Sequence, residues 1–82
     1  MSLTFAQRMA LGAERAKYRR RLQEVMDAHT LTGVALAQQL GISSAAVYRT
    51  LSGAIHSPKV LDWLREHGAD EKYLCDPRAV EK

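Results

Sequence analysis

The chain has 82 residues, of which 46% are hydrophobic and 26% are charged, and its formal net charge is +3. This length can bury only one small core, which excludes a two-domain enzyme, a closed barrel and a doubly wound sheet. The single cysteine, Cys75, excludes an internal disulfide. No apolar run approaches the roughly 18 residues of a membrane helix. Residues 1–11 lack the basic start and apolar run of a secretory signal. We therefore expect a cytoplasmic protein with no membrane contact.

The first predicted helix covers residues 18–28, where four apolar side chains recur at the spacing of one helix face. The residues before it, 1–17, are compatible with an arm, a separate helix or an extension of the first helix. Gly12 counts against a helix there, because glycine costs about 1 kcal/mol relative to alanine. No strand or hairpin pattern is found in the sequence.

Three further helices are predicted over residues 32–41, 43–53 and 57–68. Each begins at a hydroxyl residue that can accept a hydrogen bond from the first turn. Each ends at a glycine, which tolerates the left-handed conformation that follows a helix. A short turn at 70–74 completes the set. The chain is therefore predicted to be all-α, with four to five helices in a compact domain.

The predicted domain covers residues 18–74. Residues 1–17 form an N-terminal extension, arm or extra helix, and residues 75–82 form a C-terminal tail. The tightest link inside the domain is the turn Gly41–Ser43. A turn of three or four residues that contains glycine makes two short helices cross steeply, which is the geometry of a helix-turn-helix.

Residues 33–52 meet the physical requirements of that motif. Ala37 is small, which lets the second helix cross closely, and Gly41 can adopt the left-handed conformation of the turn. Ile42 and Val47, with two leucines of the first helix, can fill the space between the helices. The alternative is a corner between helices in another helical domain that packs in the same way.

Residues 32–53, TGVALAQQLGISSAAVYRTLSG, resemble the Cro and phage-repressor family of DNA-binding domains (lambda repressor-like, XRE-type). A leucine before them and Ser57-Pro58 after them belong to the same pattern. The resemblance covers about residues 18–74. It implies a lambda repressor-like helix-turn-helix fold with a recognition helix at about 43–52 in the major groove. It also implies a dimer on a palindromic operator of double-stranded DNA.

Three residues depart from the family's pattern. Gly33 stands where the family often has a glutamine that braces a phosphate, and Val34 and Ala35 stand at positions that are usually polar. These differences remove the side chain of the family's phosphate contact and place a small apolar patch on the helix.

By their positions in the motif, the resemblance implies that six residues face the bases: Ser43, Ser44, Ala45, Tyr48, Arg49 and Ser52. Arg49 is the only charged residue between Asp27 and Lys59, so we expect it to make the most important contact, bidentate to guanine or to a phosphate. Partial burial is the alternative for Tyr48. The candidate phosphate contacts are Thr32, Ser57, Lys59 and Arg19.

The charges are unevenly distributed along the chain. The 34 residues from 28 to 61 contain no carboxylate, which suits a polyanionic partner, and a mostly buried middle segment is the alternative explanation. Three consecutive arginines at 19–21 follow Arg15 and Lys17. This basic run is typical either of a solvated helix face or of an accessory contact to phosphates or the minor groove.

Enzyme chemistry is not indicated. The histidines at 29, 56 and 67 have no metal-ligand spacing with one another or with Cys75, and the sequence contains no glycine-rich phosphate loop. We expect no catalytic residue, metal ion, cofactor or small-molecule substrate.

The expected partner is double-stranded DNA, bound by a homodimer at least on DNA. The dimer surface is predicted either on the N-terminal segment or on the helix at 57–68 with the turn after it, through Trp63, Tyr73 and Leu74.

The second hypothesis is a protein-interaction module on the same fold, such as an antitoxin or a phage adaptor. Its surface would comprise Val34, Ala35, Trp63 and the segment 5–11. Either function fits the bacterial cytoplasm or nucleoid and allows a phage-encoded origin.

Overall fold

A computed structural model describes residues 2–80, which form helices and turns without any strand. The all-α class is thus confirmed. Within these residues no helix has both the length and the apolar character needed to cross a membrane. The helices are α1 (Phe5–Lys17), α2 (Arg19–Ala28), α3 (Gly33–Leu40), α4 (Ser44–Leu51), α5 (Pro58–Glu66), α6 (Glu71–Leu74) and α7 (Pro77–Val80).

The seven helices exceed the four to five that were predicted. Residues 5–17 form a helix of their own, and residues 77–80 add a single turn. Thr4 starts α1, because its hydroxyl oxygen accepts from the Gln7 backbone N–H (3.1 Å) while the Gln7 side chain accepts from the Thr4 N–H (2.8 Å). The chain bends at Tyr18, where φ is −104° and ψ is 13°, and α2 follows directly.

Gly12 is the point where α1 crosses the rest of the molecule. A Cβ atom at Gly12 would overlap the carbonyl oxygen of Gly53, in the loop after α4. Gly53 itself has φ +86° and the same shortage of space. The glycine that counted against a helix is therefore the residue that lets α1 approach this loop closely.

α3 and α4 are joined by a short turn, and a side-chain hydroxyl oxygen caps the first turn of each helix. The Ala35 N–H donates to Thr32 Oγ1 (3.1 Å) at the start of α3, and the Ala46 N–H donates to Ser43 Oγ (3.1 Å) at the start of α4. Between them Gly41 has φ +69°, the left-handed conformation that a side chain would disfavour. These caps position α4 against α3 with residues 41–43 as the only connection.

The core draws on five helices. α2 to α6 supply its buried apolar residues: Leu22, Met26, Leu36, Ala37, Val47, Leu51, Val60, Leu61, Trp63, Leu64 and Leu74. Leu40 at the end of α3 and Ile42 in the turn after it pack against this cluster.

The predicted dimer surface on the helix at 57–68 and the turn after it is wrong in this fold. Trp63 is only 4% exposed and Leu74 is fully buried, so neither is available to a second copy or to another protein. Trp63 shares a helix face with Val60 and Leu64, and that face is turned into the core. Tyr73 is half-buried, with its ring centroid 4.8 Å from that of Tyr18.

Arg15 is fully buried, although it was grouped with the solvated or DNA-binding basic run. Its guanidinium donates to the carbonyl oxygens of Leu74 (2.6 Å), Thr50 (3.0 Å), Ile55 (2.9 Å) and Cys75 (3.2 Å). A fifth hydrogen bond runs to a histidine ring in the loop after α4. All five N–H groups are therefore satisfied. Because Thr50 and Leu74 lie in the last turns of α4 and α6, one cation caps both helix ends.

His56 is the fifth partner of Arg15, and its protonation state follows from this contact. Arginine cannot accept a hydrogen bond, so His56 Nδ1 accepts from Arg15 Nη2 (2.7 Å), and Nε2 donates to the Arg8 carbonyl (3.0 Å). Burial and the neighbouring Arg15 charge lower the pKa of His56. Burial likewise lowers the pKa of Arg15.

The end of the described chain is fixed by ion pairs around Asp76. Its carboxylate, 2% exposed, accepts from Arg65 (2.9 Å) and Arg78 (2.9 Å), and Arg78 also pairs with Asp62 (2.7 Å). Burial opposes ionisation, but the hydrogen bonds from Arg78 and Arg65 hold the pKa of Asp76 at about 2. Arg15 from the predicted N-terminal extension and Asp76 from the predicted tail are thus both buried against residues 18–74.

Candidate nucleic-acid interface

α4 divides sharply into a buried and an exposed face. Val47, Thr50 and Leu51 are buried, and the Thr50 hydroxyl donates to the Ala46 carbonyl (2.7 Å). Of the six residues predicted to face the bases, Ser44 is half-buried. The other five are exposed: Ser43, Ala45, Tyr48, Arg49 and Ser52. The structure thus brings these six residues together on the helix and on its two caps.

The serine hydroxyls in this set differ in their availability. Ser43 Oγ accepts the α4 capping bond, so its O–H and one further lone pair remain for a ligand. Ser52 Oγ donates to the Arg49 carbonyl (3.1 Å). Ser44 makes no side-chain hydrogen bond to any other described residue. Ser44 therefore has the least committed hydroxyl of the three.

Arg49 is an exposed cation with no acidic neighbour. No carboxylate of residues 2–80 lies within ion-pair distance of it. By contrast, Arg21 pairs with Glu24 at 3.3 Å, and Lys17 pairs with Glu14 at 2.8 Å. The carboxylate-free stretch of sequence thus becomes a helix surface whose positive charge is not neutralised from within.

Tyr48 leans from α4 toward the first residue of α3. A Cβ atom at Gly33 would overlap the Tyr48 ring and lie 2.6 Å from its hydroxyl oxygen. The ring is nevertheless 40% exposed. Sequence reasoning missed this contact, although a glycine at the first position of a helix, near a large aromatic side chain, is a usable signal. It gives a steric reason for glycine at the position where the resembled family often has glutamine.

The four predicted phosphate contacts lie on three different elements. The Thr32 hydroxyl oxygen caps α3, and Lys59 reaches from α5 to the Leu40 carbonyl (3.3 Å) at the end of α3. Ser57 precedes α5, and its side chain makes no capping bond. These three flank the α3–α4 unit. Arg19 is exposed at the start of α2, and no hydrogen bond or ion pair within residues 2–80 joins it to that unit.

The other exposed large apolar side chains lie on several elements. Phe5 and Met9, one turn apart on α1, are 78% and 54% exposed, Val34 on α3 is 52% exposed, and Ile55 and Val80 are exposed as well. In the described part of the chain, no three histidine, cysteine or carboxylate residues are grouped so that they could hold a metal ion.

The chain was compared with protein-family models, with curated proteins and with solved structures, and none of the three comparisons gave a match.

Proposed function

We propose that the protein is a sequence-specific transcriptional regulator of the Cro/repressor type that binds double-stranded DNA. In this proposal α3, the turn and α4 are the helix-turn-helix of a lambda repressor-like domain, and residues 43–52 enter the major groove. The observation that carries the proposal is the exposed face of α4, where Arg49 stands without a carboxylate neighbour.

The chemistry of that face suits base edges. The methyl group of Ala45 can pack on a thymine methyl, and the free hydroxyl of Ser44 can hydrogen-bond several bases. Arg49, one turn further along, has the fork of N–H donors that matches guanine O6 and N7. In a docked helix-turn-helix the first helix crosses the DNA backbone, so Thr32 on α3 would lie near a phosphate. Ser57 and Lys59 would reach phosphates from the start of α5.

The fold holds α4 rigidly enough for this task. Its last turn is fixed by the buried guanidinium of Arg15 through the Thr50 carbonyl, and its first turn by the Ser43 cap. A helix fixed at both ends presents its side chains to DNA without a large ordering cost.

We further propose that the protein binds a palindromic operator as a homodimer. Because Trp63 and Leu74 are buried, the N-terminal segment is the predicted dimer surface that remains, with Phe5 and Met9 exposed. DNA as the partner also fits the bacterial cytoplasm or nucleoid as the location.

Selection of bound sites from a random duplex pool, followed by affinity measurements over a range of salt concentrations, tests the proposal. We expect a preferred site and an affinity that falls steeply with salt, because phosphate contacts release counterions. Absence of binding to both selected and random duplexes at low salt would overturn the proposal.

A matched pair of variants assigns the binding surface. Arg49→Ala is expected to weaken operator binding by about 1–3 kcal/mol and to relax the preference at one base pair. Lys72→Ala removes the same charge from the exposed surface of α6 and is expected to leave the affinity nearly unchanged. Equal effects of the two variants would mean that net charge, rather than α4, determines binding.

The protein-interaction module is the second candidate, and the exposure of Val34 beside the apolar ring of Tyr48 favours it. A wild-type protein that is folded but binds no DNA would favour the protein-interaction module.

A further inference from the structure

Tyr48 differs from the other side chains on the outer face of α4, because it is directed away from that face. Its ring lies over Gly33 with the hydroxyl at the first residue of α3, as the 2.6 Å approach to a Cβ built at Gly33 shows. Ala45, Arg49 and Ser52 recur at the spacing of one helix stripe, and Tyr48 lies beside that stripe on the side of α3.

The Tyr48 hydroxyl is available to a ligand. It makes no hydrogen bond to another residue of the described chain, and the side chain is 40% exposed. Gly33 lies against the hydroxyl end of the ring, at Cζ, the hydroxyl oxygen and Cε1, so the hydroxyl has a defined position. A phenol that is packed at this end and whose O–H has no partner in the described chain is a positioned donor.

From this geometry we infer that Tyr48 contacts the sugar–phosphate backbone of DNA and does not read a base. The inference depends on the proposed function, in which α3 crosses the backbone while α4 enters the groove. A side chain that leans from α4 onto the start of α3 then points at the backbone. Tyrosine hydroxyls are among the groups that donate to phosphate oxygens. Base reading would be left to Ser44, Ala45, Arg49 and Ser52.

Gly33 has a positioning role in this arrangement. Any side chain at residue 33 would displace the Tyr48 ring and move the hydroxyl off its position. The absence of a long polar side chain at Gly33 is then compensated by a hydroxyl supplied from the neighbouring helix.

The test compares Tyr48→Phe with the wild type on two duplexes of equal length, the selected operator and a shuffled version of it. Phenylalanine retains the ring on Gly33 and removes only the hydroxyl, and circular dichroism checks the fold. We expect both affinities to fall by the same factor, about tenfold for a lost hydrogen bond to a charged oxygen. The ratio of the two affinities stays constant. The dependence on salt stays constant too, since no charge is removed.

The other possible results of this test separate the inference about Tyr48 from the proposed function. A changed ratio between operator and shuffled duplex would make Tyr48 a base reader, and unchanged affinities would place its hydroxyl in solvent. Both outcomes overturn the inference and leave the proposed function standing. Failure of the wild type to bind either duplex overturns both.

A second pair of variants tests the role of Gly33. Gly33→Ala is expected to lower affinity for both duplexes equally. In Gly33→Ala combined with Tyr48→Ala, the protein should regain stability, because the clash is gone and alanine is the better helix former. A Gly33→Ala protein with wild-type affinity and stability would contradict the contact.

Discussion

Replacement of Arg15 by methionine should severely destabilise the protein, although arginines usually lie on surfaces. Arg15→Met keeps an unbranched side chain of similar length and removes five N–H donors. The carbonyl oxygens of Leu74, Ile55 and Cys75 and the Nδ1 atom of His56 lose their donor, and Leu74 is fully buried. The Thr50 carbonyl, also buried, keeps only the Gly53 N–H (3.2 Å). A buried acceptor left without a donor costs about 1–3 kcal/mol, because water cannot reach it.

The magnitude follows from the buried Leu74 carbonyl left without a donor, from the lost hydrogen bond to the Thr50 carbonyl and from the loss of the cation that caps two helix ends. Apolar replacement of a buried ionic cluster is often neutral when all of its members are replaced, but here the acceptors are backbone atoms and remain. We therefore expect a loss of about 3–5 kcal/mol, the range found when one partner of a buried charged group is removed. This is a large part of the roughly 5–15 kcal/mol that stabilises a typical domain.

Urea unfolding followed by circular dichroism measures the effect. The midpoint should fall by about 1 M or more, given slopes of roughly 1–3 kcal/mol per molar urea. Arg20→Met is the matched control, since Arg20 is exposed, and a surface change of this kind should stay within about 0.5 kcal/mol. Arg15→Lys, with three donors, should fall between the two. If Arg15→Met unfolded at the wild-type urea concentration, the reasoning about the buried carbonyls would be refuted.

Two further predictions concern the same region. Because the pKa of His56 is lowered in the folded protein, the unfolded chain binds the extra proton first as the pH falls. Stability from this group is therefore complete above its unfolded pKa of about 6.5 and is lost as the pH falls through the lowered folded value. Urea titrations from pH 7.5 to 4.5, about one unit above to about two units below that value, should show this loss of stability. His56→Gln should reduce the slope of stability against pH, and an unchanged slope would contradict the lowered pKa of His56. Gly12→Ala should destabilise the protein despite a helix-propensity gain of about 1 kcal/mol, because the new methyl group meets the Gly53 carbonyl. A rise in the thermal midpoint would show that α1 does not approach the loop so closely.

Local signals predicted the helices well and long-range contacts poorly. The starts and ends of α3 and α4 could be predicted because Thr32, Gly41 and Ser43 act within a few residues of themselves. The burial of Arg15 could not be predicted from the sequence, since its acceptors lie 35 to 60 residues away along the chain. A charged side chain next to other basic residues gives no sign of partners so distant.

The candidate site was predicted in part for the same reason. Helical spacing was sufficient to collect the residues on the outer face of α4. It could not show that Tyr48 turns toward Gly33, because the direction of a side chain at the edge of a face depends on the neighbouring helix. Trp63 was misplaced because a tryptophan on an amphipathic helix suits either a core or an interface.

The convergence of five hydrogen bonds on Arg15 limits which residues could be transferred to another protein to carry the proposed DNA-binding surface. The carbonyl groups that it caps belong to α4, to the loop after α4 and to the end of α6, while the arginine itself is supplied from α1. Residues 18–74 alone therefore do not contain all the residues that stabilise α4 and α6. A fusion protein that contains only this segment would leave the carbonyl groups at the ends of α4 and α6 without the Arg15 guanidinium. A functional fusion therefore has to include α1 and the residues through Arg78.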